Sequence, residues 1–281
     1  MEVNREGFVS FFNNLVVFFS SLFDESGRLF PDGRLPARPV IMVHSALSAF
    51  GHVPLGAATV LEALRRAARD RDMTVVMPAH SDVPARPEPS STGDTDPPPP
   101  VEFEPRTTPC AGMGAIAELF RTGSRVRRSA HPLLSFCAEG PRARRLLSGH
   151  RPGTGLGPRS PAGRIAEAPA LVLLLGVGYE TATLLHLGEY ARAGAEDAGR
   201  VTCRAVTRWG FPPFRRARCR SWEDIVFDAE SFAETGDAFE RTAPDRILRG
   251  PIPGGTGEFR LFLARDLVRF SIDRSSGNGV L

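Results

Sequence analysis

The chain is 281 residues long, 42% apolar and 24% charged, enough to bury a full core, and its mixed charge makes it globular rather than disordered. All 35 of its non-histidine basic residues are arginine and no lysine occurs. Schiff-base and lysine-nucleophile mechanisms are therefore excluded, and any phosphate has to be held by arginine or by backbone amides. A net charge of only +3, with no basic run interleaved with aromatics, argues against nucleic acid.

Taken in chain order, Phe8 to Phe23 (FVSFFNNLVVFFSSLF) is strongly apolar but interrupted by Asn13, Asn14 and serines. It is shorter than the ~20 residues of a membrane span, and it lacks the basic start and small-residue cleavage site of a secretory signal. A helix packed on the domain is the expectation. PVIMVHSAL, from Pro39, reads as a strand ending in His44 and Ser45; AATVLEALRRAARD has apolar positions at helical spacing; MTVVM, from Met73, is a further strand. Strand, helix and strand at this spacing predict a βαβ unit with parallel pairing.

Residues 81–109 are proline-rich, with PPPP at 97–100, and predict a long extended loop. GMGAIAELFR opens a helix at 112, SAHPLLSF leads from Ser129 into an apolar segment, and Arg142 to Arg145 predict the wet face of a short helix. GTGLGPRSP at 153–161 fits neither a dinucleotide fingerprint nor a phosphate loop and reads as a turn. Trp209 to Arg220 is basic and broken by prolines; Glu223, Asp224, Asp228, Glu230 and Glu234 form an acidic stretch; RLFLARDLVRFSID (260–273) predicts an amphipathic closing helix. No repeat or linker divides the chain, so one domain is expected.

Leu171 to Tyr190, LVLLLGVGYETATLLHLGEY, carries the most information. The apolar run predicts a buried central strand, and the helix-compatible segment after it puts Thr183 and His186 on one face beyond the strand's carboxyl end. Ligands bind α/β sheets at that end; a core histidine packed on the sheet fits the spacing equally well.

His44, His80 and His131 follow strands or sit in apolar turns, and with His186 they are placed to converge on one sheet edge. None has the HxxxH or HxH spacing of a metal pair, so no metal is expected. Cys110, Cys137, Cys203 and Cys219 form no CxxC pair, which argues against zinc and a disulfide framework and for the reduced thiols of a cytoplasmic protein. No GxSxG nucleophile elbow is present, and Cys137 in LLSFCA reads as core. What remains is a histidine base near a carboxylate, with Glu180 and Glu189 flanking His186 and the 223–234 acids in reserve. Such a site suits attack by an amine on an already activated acyl group, since imidazole, with a pKa of ~6.5, takes the proton that the amine loses.

VHSALSAFGHVPLGAATVLEAL, MPAHS, GMGAIAELFR, RRSAHPLLSF, GLGPRSPAGRI, VLLLGVGYETATLLHLGEY and RLFLARDLVRF, in this order from about Val40 to Phe270, resemble the aminoglycoside 3-N-acetyltransferase family. The resemblance implies a three-layer α/β/α fold around a central mixed, largely parallel sheet, with residues 40–281 as one acetyltransferase domain and 1–39 as a divergent N-terminal segment. It implies transfer of acetyl from acetyl-CoA, as co-substrate, to the 3-amino group of 2-deoxystreptamine antibiotics. His186 falls on the base of the family's T-x-x-H motif and Thr183 on its hydroxyl, with Glu180 as the acid. His44, Ser45 and Leu47 fall on the segment that contacts the pantetheine arm, and Ser129 and His131 on a second signature near the site. An acid from 223–234 is expected to orient the histidine or to meet the substrate amine, and that stretch supplies a wall for a polycationic acceptor. Two departures stand out: Gly178-Tyr179-Glu180 replaces the usual Gly-His-Asp, and 82–109 replaces a tryptophan-bearing segment that shapes the acceptor pocket. They leave two alternatives open, an acetyltransferase for another amine metabolite and an inactive CoA-binding paralogue.

Overall fold

A computed structural model describes residues 5–81, 100–153, 155–193, 200–209 and 216–275. The first half runs through α1 (Arg5–Glu25), β1 (Val40–Ser45), α2 (Ala57–Arg69), β2 (Thr74–Pro78), β3 (Val101–Phe103), α3 (Gly114–Arg121), β4 (Arg127–Arg128) and β5 (Phe136–Glu139). The second half comprises α4 (Ala143–Leu147), α5 (Pro161–Glu167), β6 (Ala170–Leu175), α6 (His186–Ala193), β7 (Arg200–Trp209), β8 (Arg216–Ile225), α7 (Phe232–Thr242), β9 (Ile247–Pro251), β10 (Glu258–Leu263) and α8 (Ala264–Ser275).

Seven strands form one sheet in the order β4-β5-β2-β1-β6-β10-β9. The βαβ expectation holds: β1 lies parallel to β2 and also to β6, with Val40 opposite both Thr74 and Ala170. The sheet is mixed, but it is not largely parallel. β5 runs antiparallel to β2 and β4, and β10 antiparallel to β6 and β9. A parallel neighbour needs a crossover, whereas the 252–257 turn between β9 and β10 is short and simply reverses the chain.

Both faces of the central strands are covered, which explains their unbroken apolar sequence. Ile41, Val43, Leu171, Leu173 and Leu175 belong to one apolar cluster with residues of α1, α2 and α3. The alternating Val40, Met42, Val172 and Leu174 belong to another, with residues of α4, α5 and α8. Helix α1 lays Leu15, Phe19, Leu22 and Phe23 into the first cluster, and Phe18 meets Phe259 of β10 edge-on at 5.5 Å. Although the 5–29 stretch is long and apolar enough to cross a membrane, this helix packs on the sheet's own core, as expected.

Two expectations about local structure fail. RLFLARDLVRFSID is not one helix: its first part completes β10, where Phe262 faces Val172 of β6, and α8 begins only at Ala264. The apolar positions satisfied both periods, and the open edge of β6 selected the strand. Residues 100–109 are not wholly extended loop either, because Val101–Phe103 form β3 and join β7 and β8 in a second, three-stranded sheet. The rest of the proline-rich stretch, 82–99, lies outside the described residues, as does 210–215 between β7 and β8.

Two glycines place the segment after β6. Gly176, at φ +67°, lets the chain leave the sheet where a Cβ would sit 1.9 Å from the Ala49 Cβ. Gly236 of α7 packs directly on the Tyr179 ring, a Cβ there falling 1.9 Å from the ring's Cγ. Gly236→Ala is therefore expected to cost about 1–3 kcal/mol by overpacking, measured as a lowered midpoint of urea unfolding. An unchanged midpoint would mean that α7 does not hold Tyr179 as described.

Candidate active site

A cavity of about 440 Å³ opens at the carboxyl ends of β1, β2 and β6, where parallel strands leave a crevice for ligands. His44 and Ser45 end β1, His80 follows β2, Gly112 to Gly114 lead into α3, and Val177, Glu180, Thr181, Thr183 and His186 come from the chain beyond β6. After Gly176 the chain makes two short 3₁₀ turns, Tyr179–Thr181 and Thr183–Leu185. His186 is the first residue of α6 rather than an interior one.

Among the described residues, His186 is hydrogen-bonded through one ring nitrogen only. Its Nδ1 lies 2.5 Å from the Glu189 Oε2, one helical turn on, and both side chains are largely buried. The other carboxylate oxygen of Glu189 accepts the Asp228 N–H at 2.8 Å, so the acid is fixed before it orients the ring. Phe227 and Phe232 meet the imidazole edge-on at 4.7 and 4.8 Å. A carboxylate on Nδ1 keeps the proton there and leaves the Nε2 lone pair as the basic atom.

Glu180 lines the same cavity but does not reach His186; its carboxylate accepts the Gly178 N–H at 2.9 Å. The histidine-orienting acid is not from 223–234 either. Asp224 is buried, accepts the Tyr190 hydroxyl and the Ile225 N–H, and has its carboxyl pKa raised by that burial. Asp228 reaches Glu189 through its backbone N–H, and its own carboxylate accepts the Glu230 N–H at 3.0 Å. Glu189 was visible as a flanking residue, and its i,i+3 spacing from His186 on a helix is the signal that singles it out.

The histidines do converge. His44 and His80 line the cavity, with the His44 Nε2 and His80 Nδ1 buried and without a hydrogen-bond partner among the described residues. Behind them, His131 accepts the Leu133 and Leu134 N–H groups on Nδ1, and its ring lies 4.8 Å from that of His150. His150 stands between Ser129 Oγ at 2.9 Å and the Gly155 carbonyl at 2.8 Å. Ser129 and His131 thus support the wall without lining the cavity, and Leu47 packs on the apolar cluster beside it. His150, far away in sequence, carries no local motif that marks it. Cys137 is core, and burial pushes its thiol up to about 12. Among the described residues, no group of three or more His, Cys, Asp or Glu is placed to hold a metal.

A family model described as aminoglycoside 3-N-acetyltransferase matches residues 42–275. The chain belongs to that family. It is 32% identical over 245 residues to the SPbeta prophage-derived aminoglycoside N(3')-acetyltransferase-like protein YokD of Bacillus subtilis, covering 82% of this chain and 84% of that protein. Its fold is similar to AAC-IIIb solved with CoASH, at TM-score 0.66 and 26% identity over 94% of this chain and 96% of that one. It is also similar to sisomicin-bound AAC-VIa, at TM-score 0.67 and 27% identity over 94% and 98%. The Tyr179 departure within this aminoglycoside 3-N-acetyltransferase family member has a clear place: the ring is buried, stacked on Phe262 at 5.5 Å, and does not line the cavity.

Burial makes the histidine wall sensitive to acid. It holds His44 and His80 down at about 3 and His150 at about 4, and it pushes His131 well below the usual imidazole value of 6.5. All four are neutral in the folded state, whereas the unfolded chain binds protons below that value. Stability is therefore lost as pH falls, with each group contributing up to about 1.4 kcal/mol per pH unit. The thermal midpoint is expected to drop steeply between pH 6.5 and 4, and less steeply in His80→Gln. A flat profile would contradict the burial of these rings.

Proposed function

We propose that this protein is a cytoplasmic, acetyl-CoA-dependent N-acetyltransferase. Its proposed reaction is acetylation of the 3-amino group of 2-deoxystreptamine aminoglycosides, by direct transfer and without an acyl-enzyme, giving antibiotic resistance. The observation that carries this reading is the His186–Glu189 pair at the cavity, with Nδ1 occupied and Nε2 left as base, in a chain of this family. The cavity suits the co-substrate's acyl end. Its volume is that of a small-molecule site, and its wall offers the unpartnered nitrogens of His44 and His80 beside Ser45 and Thr183. A resident metal is no part of the proposal.

Acetyl-CoA supplies an acyl group already activated as a thioester. His186 Nε2 takes the proton of the attacking amine, and Glu189 steadies the imidazolium that results. Thr183, one helical turn before His186, faces the reacting group with its hydroxyl. Glu180 at the cavity and the exposed Asp228 and Glu230 on the neighbouring segment give a cationic acceptor its carboxylates. The three-layer arrangement is inferred from the two apolar clusters on alternate residues of β1 and β6.

A second reading, transfer to another amine, is favoured by one observation: Glu180 is the one carboxylate among the described lining residues, a sparse set for a polycation. Free-thiol release from acetyl-CoA, followed with gentamicin-type aminoglycosides and with simple amines, separates the two. Turnover with the antibiotics that disappears in His186→Ala supports the proposal, and turnover only with other amines moves the substrate. CoA binding without turnover would leave an inactive paralogue.

A further inference from the structure

A second cavity, of about 310 Å³, lies on the far side of the histidine wall, lined by Ala130, His150, Arg151, Pro152, Thr207, Arg218 and Arg220. Its chemistry is one-sided. Arg218 and Arg220 alternate on β8, opposite Thr207 and Ala205 of β7, so both guanidinium groups rise from one face of the small sheet, their Cα atoms about 7 Å apart. Many of the described arginines are spent on carboxylates or carbonyl oxygens, such as Arg208 on Glu102, Arg71 on Asp24 and Arg164 on Leu146. Among the described residues, Arg218 and Arg220 form no ion pair and no carboxylate lines this cavity.

The wall behind the arginines holds two further N–H groups, outside the cavity lining. His131 is fully buried and accepts two backbone N–H groups on Nδ1. Its proton is therefore assigned to Nε2, and that N–H has no partner among the described residues. Trp222, next in the row of alternate residues after Arg220, meets the His131 ring edge-on at 5.5 Å. Its indole N–H is buried and equally unpartnered. The row ends at Asp224, whose Oδ1 accepts the Tyr190 hydroxyl and the Ile225 N–H, while its buried Oδ2 has no hydrogen-bond partner among the described residues. A pocket lined by the guanidinium groups of Arg218 and Arg220 together with Thr207 selects an anion with several acceptor oxygens; His131 and Trp222 pack behind that lining.

We propose that this second cavity is a phosphate-binding pocket, with Arg218 and Arg220 as its principal ligands. Its phosphate comes either from the 3′-phosphate of CoA, a source that rests on the acetyl-CoA reading above, or from a separate phosphorylated ligand. The test is calorimetric titration of the full-length protein with inorganic pyrophosphate, CoA and dephospho-CoA. The variants are Arg218→Gln/Arg220→Gln, Arg218→Lys/Arg220→Lys, and Arg241→Gln as a control on a distant exposed arginine. Pyrophosphate binding is expected to weaken about tenfold or more in the glutamine double variant, to survive in part in the lysine variant and to stay intact in the control.

Loss of CoA affinity with dephospho-CoA spared assigns the pocket to the 3′-phosphate. Unchanged CoA binding with weakened pyrophosphate binding assigns it to a separate ligand. No pyrophosphate binding by the native protein, equal binding by the glutamine variant, or an equal loss in the control overturns the proposal. Acetyl transfer is not a readout, so failure of the enzymatic reading leaves this result standing.

Discussion

Replacement of His186 by alanine is expected to lower kcat about 10²–10⁴-fold, the contribution of a positioned general base, with a much smaller change in KM for acetyl-CoA. Among the described residues, only one imidazole at the cavity combines a carboxylate partner with a nitrogen left for substrate. His186 has Nδ1 on a buried carboxylate, whereas His44 and His80 have no carboxylate partner and are held far from protonation by burial. A base must accept a proton and then tolerate the charge, and Glu189 supplies that tolerance for His186 alone. The measurement is initial-rate thiol release from acetyl-CoA with a saturating amine. A residual rate within tenfold of native would move the base elsewhere.

Much of this arrangement can be read from the residues, and the part that cannot has physical causes. β1, β2 and β6 are legible because a strand covered on both faces must be apolar throughout, and VIMV, TVVM and LVLLL offer no other reading. The site's position follows, since a strand's carboxyl end in a parallel core is where chain and cavity meet. The antiparallel flanks are less visible because β4 and β9 are short, and because the EFRLFL of β10 also suits a helix that continues into α8. β7 does carry period-two burial, with Val201, Cys203 and Ala205 inward, but Arg200, Arg204 and Arg208 in the same strand make it look like a merely basic segment. His150 and His131 are brought together by tertiary packing that no local spacing records. The choice among Glu180, Glu189 and the 223–234 acids turned on where α6 begins. With His186 at its first position, Glu189 stands one turn on, while the preceding 3₁₀ turn commits Glu180 to the Gly178 N–H.

That assignment makes Glu189→Gln the more discriminating variant. The glutamine keeps the size of the side chain but can present an amide N–H to Nδ1. The imidazole proton then shifts to Nε2, and the atom facing the amine becomes a donor instead of a base. Where a histidine base is inverted in this way, rate losses reach about 10⁴-fold, so Glu189→Gln is expected to cost on the order of 10³–10⁴-fold in kcat. Substrate KM should change little, because Glu189 acts through His186 and does not line the cavity. Glu189→Asp, which restores a carboxylate on a shorter arm, should recover part of the loss, and Glu180→Gln should leave the pH profile of kcat in place. The Asp228 N–H gives an internal control: it can still donate to the glutamine carbonyl oxygen, so the segment bearing Phe227 should keep its place and the thermal midpoint should fall only modestly. If Glu189→Gln lost activity only in proportion to lost folded protein, or if Glu180→Gln reproduced its loss of kcat, Glu189 would be a packing residue and the His186–Glu189 dyad would not be the catalytic pair.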